Sequence, residues 1–352
     1  MAKILYGVAG EGMGHAVRSK VLIEHLQKKN QVKVVAASKS YTYLSKFFSV
    51  EEIDYFKIIY RNNKVANLLT FLNNAIRFPI ILKKAFKVGK IIKQFKPDII
   101  ITDFEPITDY YAWIKKIPVI SIDNQHIITS ANYSNITKYH KLSSFLTKFV
   151  IKTFIIKANK IFIFSFLPAK EAGKDVHIIK PILRANIMKL KPKEKGYILV
   201  YQTSTSNKGL IPTLNKIKRQ KFIVYGLYKN KKCKNVIIKD IKEKEFIKDL
   251  KNCKAVITNG GFTLISEALY LKKPILSIPV EKQFEQILNA THLDMMQYGR
   301  YVKKTTKENI EEFIKHIPYY KKHLQKYKKY TNKEALNLLD KTIKSIKIEK
   351  NK

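Results

Sequence analysis

The regular alternation of short apolar strands with amphipathic helices is the feature that most constrains the fold of this chain. In the first half, strands rich in Ile and Val are predicted at 3–8, 32–36, 98–102, 119–122 and 160–165, with a helix at 16–28. The alternation pauses at a Lys- and Pro-rich stretch, 181–196, and resumes with strands at 197–201, 222–225, 236–238, 255–258 and 274–278. Such alternation predicts parallel sheets covered on both faces by helices.

The length supports two domains, because 352 residues exceed one ordinary core. We predict an α/β protein with two Rossmann-like, doubly wound domains that face a cleft, at 1–182 and 197–305, joined by a linker at 183–196. A long, Lys-rich helical tail is predicted over 306–352. Since ligands of open parallel sheets bind beyond the carboxyl ends of the strands, functional residues are expected just after the strands.

The charge is strongly positive, with 68 Lys and Arg against 27 Asp and Glu, a net charge of +41. This composition fits a nucleic acid or an anionic membrane as partner, and it also fits the codon bias of an AT-rich genome. No helix-turn-helix, zinc-finger or stacking-aromatic motif accompanies the charge, so no specific nucleic acid is expected. A basic nucleic-acid-binding protein stays an alternative.

Cysteine usage and the N-terminus favour a cytoplasmic protein. Cys233 and Cys253 match no zinc or redox spacing. The first residues are typical of a strand and a turn rather than a signal peptide. No apolar run approaches the ~18 residues of a membrane span.

A glycine-rich stretch, Gly10 to His15, follows the first strand and opens a helix. Glycines permit a sharp turn close to a ligand, and a helix start offers unpaired N–H groups. The pattern G-x-G-x-G-H departs from the dinucleotide fingerprint, and 35–38 lacks the acidic residue that NAD binding needs. We interpret Gly10, Gly12 and Gly14 as an acceptor-side loop and His15 as a candidate general base, with a turn that binds no ligand as the alternative.

A second turn joins the strand ending at Thr258 to a helix through Gly260 and Gly261. The first N–H groups of this helix can hold a diphosphate. Glu267, within the first two helical turns, can accept hydrogen bonds from ribose hydroxyls. The alternative is an exposed acid favoured by the helix dipole. Glu285 and Gln286 follow the next strand, where they can bind sugar hydroxyls.

Together these motifs resemble the two-domain glycosyltransferases of the GT-B fold. The similar group is family 28-like and includes the peptidoglycan lipid-intermediate N-acetylglucosaminyl transferase and the diacylglycerol galactosyltransferases. Its N-terminal loop matches Gly10 to His15. Its C-terminal signature matches Gly260, Gly261, Glu267, Pro274, Pro279, Glu285, Gln286, Asn289 and Ala290, and its stretch beside the uracil matches 246–250. The chain looks closer to a poorly characterised archaeal and bacterial subgroup, so the acceptor is not carried over.

The resemblance implies a donor site in the second domain. Its expected residues are Gln202, Thr203, Ser204, Phe246, Ile247, Gly260, Gly261, Phe262, Thr263, Glu267, Glu285 and Gln286. The family's Gly-rich loop is replaced here by Gln202 to Ser206, where the match is chemical only. Candidates for the base are His15, Asp103, Glu105 and His126. Asp103 either orients the imidazole of His15 or caps the helix that follows it.

The implied activity is a direct, inverting and metal-independent transfer of a hexose or N-acetylhexosamine. The donor is a UDP-sugar, a co-substrate rather than a cofactor, and no metal or cofactor is expected. The acceptor is a lipid, a lipid-linked sugar or a cell-envelope glycan. A non-hydrolysing-type UDP-sugar epimerase of the same fold and a non-catalytic carbohydrate-binding protein stay open as alternatives.

Two long stretches of the first domain contain no acidic residue. They run between Asp54 and Asp98 and between Asp123 and Glu171, and both mix apolar and Lys residues on predicted helices. Such helices suit insertion at an anionic membrane surface. We therefore expect peripheral attachment at the inner face of the cell membrane, with ordinary core helices as the alternative.

Overall fold

The computed structural model describes residues 1–54, 57–61, 64–132, 141–156, 158–166, 169–202 and 207–350. Up to residue 188 the elements are β1 (Lys3–Val8), α1 (Met13–Leu26), β2 (Gln31–Ala37), α2 (Ser38–Leu44), β3 (Val50–Ile53), β4 (Tyr60–Arg61), β5 (Lys64–Val65), α3 (Asn67–Phe95), β6 (Ile99–Asp103), α4 (Pro106–Lys115), β7 (Val119–Asp123), α5 (Ile127–Ser130), β8 (Ala131–Asn132), α6 (Lys141–Phe154), β9 (Lys160–Phe164), β10 (Lys170–Glu171), β11 (Val176–Ile179) and α7 (Ala185–Met188). Then follow β12 (Ile198–Tyr201), α8 (Leu210–Asn215), β13 (Phe222–Tyr225), β14 (Lys231–Cys233), β15 (Val236–Ile238), α9 (Glu243–Asn252), β16 (Ala255–Thr258), α10 (Phe262–Tyr270), β17 (Ile275–Ser277), α11 (Phe284–Met295), β18 (Gly299–Tyr301), α12 (Lys307–Leu324) and α13 (Lys333–Lys350).

The chain forms two compact units, each assembled from separate segments. The first unit contains Met1–Ile58, Asn67–Arg184 and Thr331–Lys352, and the second contains Ile59–Ala66 and Ala185–Tyr330. The limits predicted from the sequence are continuous segments. In the structure, the first unit takes α13 from beyond the second, and the second takes the hairpin of β4 and β5 from the first half of the sequence.

The first unit is built on a 7-stranded sheet with the order β11-β9-β7-β6-β1-β2-β3. Every strand pair in it is parallel. The chain runs from β1 outward to β3 and later from β6 outward in the opposite direction, so the strand order reverses between β1 and β6. This is the predicted doubly wound architecture, and its ligand position is the carboxyl end of β1 and β6.

The second unit repeats this plan. Its 7-stranded sheet has the order β14-β15-β13-β12-β16-β17-β18, and β14 is antiparallel to β15 while the other pairs are parallel. The order reverses between β12 and β16. A core of strand and helix residues covers one face, and α12 contributes Ile310, Phe313, Ile317 and Tyr320 to it. The start of the predicted tail is thus a packed part of this unit.

Helix α3 shows its polar residues to the protein and its apolar residues to solvent over its first half. The buried Asn74 accepts a hydrogen bond from Lys57 N at 2.8 Å and donates one to Lys57 O at 2.9 Å. Arg77 pairs with Asp54. Ile76, in contrast, is 79% exposed and Phe71 69% exposed. Apolar residues are buried from the middle of the helix onward, at Ile81, Val88, Ile91 and Ile92.

In the part of the chain that the structure describes, none of the helices combines the length and the apolarity needed to cross a bilayer.

Candidate functional site

The carboxyl ends of β1, β6 and β7 in the first unit bring most of the predicted catalytic residues together. Ala9 N donates to Asp103 O at 3.0 Å and joins the ends of β1 and β6. The glycine-rich loop then turns into α1 through Gly12, whose φ of 78° falls in the left-handed region. Gly14 lies in the first turn of α1, and His15 follows it. The loop therefore aims the start of α1 at the end of β6.

His15 and Asp103 form a buried pair. His15 Nδ1 lies 2.7 Å from Asp103 Oδ1, which assigns the Nδ1 proton to this hydrogen bond and leaves the lone pair on Nε2. The side-chain nitrogen of Gln125, a hydrogen-bond donor, faces this lone pair at 3.4 Å from His15 Nε2. This is the orientation in which a carboxylate holds an imidazole for use as a base. The alternative role of Asp103, as a helix cap, does not match its contacts.

Arg18 and Ser19 complete the surroundings of Asp103. Arg18 Nε donates to Asp103 Oδ2 at 2.7 Å, Arg18 Nη2 donates to Oδ1, and Ser19 Oγ donates to Oδ2 at 2.9 Å. Burial by itself would raise the pKa of the Asp103 carboxyl, but the charges and hydrogen bonds of Arg18 and His15 outweigh it and lower the pKa to about 2. Asp103 is therefore an ionised group with no surface exposed to solvent.

Glu105 caps α4 and is fully occupied by that helix. Its carboxylate accepts hydrogen bonds from Ile107 N and Thr108 N, each at 2.8 Å, and from Thr108 Oγ1 at 2.6 Å. Burial raises the pKa of Glu105. Phe104, between the two acids, has a φ of 56°. This strained turn sends Asp103 towards α1 and Glu105 towards α4.

His126 belongs to a second Asp–His pair at the end of β7. Its Nδ1 lies 2.6 Å from Asp123 Oδ2, and its backbone N–H donates to Asp123 Oδ1 at 2.9 Å. Burial opposes ionisation of Asp123, yet its contacts with His126 and Ser121 hold the pKa of this carboxyl below its ordinary value. The predicted base candidates thus separate into two Asp–His pairs and one helix cap.

Sequence reasoning missed Arg18, which connects the two strand ends. Arg18 Nη1 donates to Asn124 Oδ1 at 2.7 Å, so one guanidinium joins β6 to the segment after β7. A signal for it was present. The chain has 6 arginines among its 68 Lys and Arg residues. In a chain that otherwise uses lysine, an arginine indicates a position that needs the planar, multidentate guanidinium.

In the second unit, the turn from β16 to α10 has the form predicted for a phosphate site. Gly260 has a φ of 96°, and a Cβ there would lie 2.8 Å from Gln286 O. Gly261 is the N-cap of α10 and brings no side chain to cap its first N–H groups. Asn289 Nδ2 donates to Gly260 O at 3.0 Å, and Asn259 Nδ2 donates to Ile278 O at 2.9 Å. The turn is therefore held by hydrogen bonds to α11 and to the loop after β17.

The predicted donor residues around this turn differ in their surroundings. Glu267 is 1% exposed, which overturns the alternative of a solvent-exposed helix acid. Glu285 is half-buried, whereas Gln286 is buried and accepts a hydrogen bond from Val280 N at 2.9 Å. Gln286 thus stabilises the loop after β17. Phe262 and Thr263 form the first turn of α10.

Phe246 and Ile247 lie on α9 and point to different neighbours. The ring of Phe246 packs edge-on against Tyr201 at 5.9 Å and Tyr225 at 5.1 Å, at the carboxyl ends of β12 and β13. Ile247 lines a pocket together with Leu190 and Asn252. Gln202 follows β12 and is buried. The predicted donor residues Thr203 and Ser204 lie outside the described residues.

Within the described ranges, no three His, Cys, Asp or Glu side chains are grouped as a metal ion would require. Metal independence stays a prediction.

Comparison with known proteins gives a consistent family. The sequence profile described as Glycosyl transferase family 1 matches residues 2–318. An uncharacterized glycosyltransferase of Methanosarcina acetivorans is 26% identical over 350 residues, covering 88% of this chain and 87% of that protein. A UDP-N-acetylglucosamine–N-acetylmuramyl-(pentapeptide) pyrophosphoryl-undecaprenol N-acetylglucosamine transferase of Thermosipho africanus is 28% identical over 252 residues, covering 67% and 70%.

Two solved structures share the architecture. The glycotransferase of kitacinnamycin superposes with a TM-score of 0.64 at 14% identity, covering 97% of this chain and 98% of that one. Phytolacca americana UGT2, complexed with UDP-2-fluoro-glucose and pterostilbene, gives a TM-score of 0.65 at 13% identity, covering 98% and 100%. At these identities the likeness shows the fold, and it confirms the predicted GT-B architecture.

Proposed function

The chain belongs to glycosyl transferase family 1 and is a glycosyltransferase of the GT-B fold, and from this premise we propose that it transfers a hexose or N-acetylhexosamine from a UDP-sugar to a lipid or lipid-linked acceptor. The Thermosipho relative, whose name gives a UDP-sugar donor and an undecaprenol-linked acceptor, supports these substrate classes. The transfer is direct and inverts the sugar carbon.

The buried His15–Asp103 pair is the observation that carries the proposal. With its Nδ1 proton held by Asp103, His15 presents the Nε2 lone pair to the acceptor hydroxyl. Nε2 takes the proton, the hydroxyl oxygen bonds to the anomeric carbon, and the bond to the diphosphate oxygen breaks with its electrons leaving on UDP. His126, paired with Asp123, is the second candidate for the base.

The turn from β16 to α10 supplies the donor site. The N–H groups that follow Gly261 stabilise the negative charge that grows on the leaving diphosphate, without a metal ion. Glu267 accepts hydrogen bonds from the ribose, Phe246 and Ile247 lie beside the uracil, and Glu285 with Gln286 contacts the sugar. The buried position of Glu267 supports its role, since a buried carboxylate binds hydroxyls strongly.

Transfer from radiolabelled UDP-sugars to a membrane extract tests the activity. A labelled glycoside is the expected product, whereas a free epimer of the UDP-sugar would identify an epimerase instead. His15→Ala should lower turnover by about 10²–10⁴-fold and leave UDP affinity nearly unchanged. Near-normal turnover in this variant would transfer the role of base to His126.

Calorimetry with UDP tests the donor site. Glu267→Ala should weaken UDP binding by about 1–3 kcal/mol, because ribose hydroxyls lose their partner. Unchanged affinity would contradict the ribose assignment.

We further propose that three helices of the first unit dock on an anionic membrane surface. Their exposed apolar side chains form what we term the docking surface: Leu68, Leu69, Phe71, Leu72, Ile76, Phe78, Ile80, Leu82 and Phe86 on α3, Trp113 and Ile114 on α4, and Phe145, Leu146, Phe149 and Val150 on α6. α4 adjoins both other helices, since a Cβ on Gly89 would lie 2.8 Å from Tyr111 Oη and Tyr110 Oη donates to Thr153 O at 2.6 Å. Monomeric proteins rarely expose so much apolar area.

Charge complementarity supports an anionic bilayer as the occupant of the docking surface. Exposed lysines stand among its apolar residues, namely Lys83, Lys90, Lys93, Lys148 and Lys152. Each lysine near an anionic leaflet contributes about 1 kcal/mol. The exposure of Phe71, Ile76 and Phe149 speaks against the alternative of ordinary core helices.

Sedimentation with phosphatidylglycerol vesicles tests docking. Phe71→Glu combined with Ile76→Glu should abolish binding at low salt, and Met295→Glu, at a position 57% exposed in the second unit, should not. Binding that ignores lipid charge, or that survives the double change, would contradict the proposal. Self-association detected by ultracentrifugation would instead identify a second copy of the chain as the occupant.

A further inference from the structure

Arg18 is a buried arginine that contacts both members of the His15–Asp103 pair. It donates to both carboxylate oxygens of Asp103, through Nε at 2.7 Å and through Nη2. The same Nη2 lies 2.9 Å from His15 Nδ1. Both nitrogens carry protons towards Asp103, so the short approach of Arg18 to His15 is an electrostatic contact rather than a hydrogen bond. The guanidinium therefore acts on the imidazole directly and through the carboxylate.

The balance of charge in this cluster depends on Arg18. With the guanidinium present, the negative charge of Asp103 is already compensated by one positive charge. A proton on His15 would then create a second cation in a buried site, which is costly. Without the guanidinium, the described residues offer the carboxylate no other bonded cation, and protonation of the imidazole would cost less free energy.

We propose that Arg18 is a positioning residue that keeps the imidazole of His15 unprotonated, and so ready to act as a base, at neutral pH. This inference rests on the proposed function, in which His15 removes the acceptor proton. Arg18 also bonds Asn124 Oδ1 at 2.7 Å and thereby fixes the end of β6 against the segment after β7. Lysine could supply the charge but not the planar fork that reaches Asp103 and Asn124 together.

Besides Arg18, four ionisable groups in the described ranges lie around the pair. They are Tyr6 on β1, Glu11 in the glycine-rich loop, Asp123 on β7 and His126 just before α5. Burial raises the pKa of both Tyr6 and Glu11, which favours their uncharged forms. Asp123 lies against His126. Among the described residues, Arg18 is thus the permanent cation bonded to Asp103.

Histidine NMR of the full-length protein tests the proposal without any substrate. In ¹³C- and ¹⁵N-histidine-labelled protein, the His15 signals are identified with the variant His15→Gln and followed with pH. We expect neutral imidazole in the wild type at neutral pH. In Arg18→Gln the titration of His15 should move upward by about one pH unit or more, as loss of an adjacent charge commonly causes.

Two further variants separate charge from packing. Arg18→Lys retains the charge and should keep the wild-type titration of His15 while lowering turnover. Arg300→Gln removes an arginine that pairs with Glu312 at 2.7 Å in the second unit, and it should leave the titration unchanged. In transfer assays, the acidic limb of kcat/KM for Arg18→Gln should shift to higher pH, with activity partly restored there.

Two results would overturn the role of Arg18. One is an unchanged His15 titration in Arg18→Gln. The other is an imidazolium signal for His15 in the wild type at neutral pH, a measurement that decides the question even if Arg18→Gln does not fold. Absence of transfer by the wild type would refute the proposed function instead, and the NMR result would stand apart from it.

Discussion

Asp103 and Glu105 are separated by a single residue, Phe104, yet their carboxylates contact different parts of the first unit. Asp103 receives Arg18, Ser19 and His15, while Glu105 binds backbone N–H groups of α4. The positive φ of Phe104 separates them, because it turns the chain between two acids that a continued strand would have placed on the same face. We therefore expect the ionised form of Asp103 to stabilise the fold through Arg18, Ser19 and His15. Glu105 instead stabilises the start of α4.

Stability in acid should depend on Asp103. Its folded-state pKa of about 2 lies below the value of an unfolded Asp, so the ionised group stabilises the fold. The contribution, about 2–3 kcal/mol, is complete above about pH 4 and disappears as the pH falls through about 2. Urea unfolding measured across this range should show the loss in the wild type.

Asp103→Asn provides the comparison for that measurement. It should be less stable at neutral pH by about 3–5 kcal/mol, because Arg18 is left buried without a partner. Its stability should also vary less with pH between about 4 and 2. Parallel pH curves for the two proteins would assign the acid sensitivity to another group, such as Asp123.

The sequence was sufficient to select candidate catalytic residues but not to divide the roles among them. The rule that ligands lie beyond strand ends was sufficient to select His15, Asp103 and His126. Which acid faces α1 depends on the backbone at Phe104, and which acid receives Arg18 depends on the distance between strands. Both are tertiary facts that no local pattern contains.

At the scale of elements, the turn from β16 to α10 contains two glycines that are under different structural constraints. A Cβ on Gly260 would collide with Gln286 O, and the φ of 96° is strained for other residues. A Cβ on Gly261 would meet no atom within 4 Å, and its φ is −64°. The backbone therefore requires glycine at the first position but not at the second, where close approach of the proposed diphosphate would account for it.

The two alanine variants should separate these reasons. Gly260→Ala should destabilise the protein by about 1–3 kcal/mol. Gly261→Ala should change stability by less than about 0.5 kcal/mol yet weaken UDP binding, since its methyl group occupies the path of the diphosphate. Thermal unfolding and calorimetry measure both quantities.

Gly209→Ala is the control for that comparison. Its φ is −77° and the nearest atom to an added Cβ is 3.8 Å away, so both properties should be unaffected. If Gly261→Ala bound UDP with full affinity, the assignment of the diphosphate to this turn would be wrong.

Helix α3 marks the limit of element-level prediction. Periodicity identifies a helix with an apolar and a polar stripe, but it does not state which stripe faces the protein. Here Asn74 and Arg77 face inward because Lys57 and Asp54 supply their partners, and these contacts are between distant residues. The absence of acids pointed to the exposed surface where periodicity could not.

At the scale of the whole molecule, the first unit is completed by the last helix of the sequence. Leu339, Ile343 and Ile346 of α13 are buried. Asn332, just before α13, donates to Leu183 O at 2.7 Å and accepts from Leu183 N at 3.0 Å. The alternation of strands and helices in the sequence did not predict that the chain returns to the first unit at α13. Helix periodicity identifies an apolar face but not the element against which that face packs.

Shortening one buried side chain of α13 should therefore destabilise the first unit. Leu339→Ala, at a position 1% exposed, should cost about 2–5 kcal/mol. Hydrogen exchange should accelerate first in β1 and β6. Ile348→Ala, at a position 51% exposed in the same helix, is the control and should cost less than about 0.5 kcal/mol. Equal effects would show that α13 does not support the sheet.

The position of α13 also sets the order of events during synthesis. The ribosome makes the strands of the first unit early, but the helix that closes them follows the whole second unit in the sequence. At about 5–20 residues per second, the early strands wait roughly 10–30 s for their last partner. The second unit is synthesised during that interval, while the nascent first unit still lacks the helix that buries Leu339, Ile343 and Ile346 against it. Its final folding is therefore a late event of translation, although its sequence comes first.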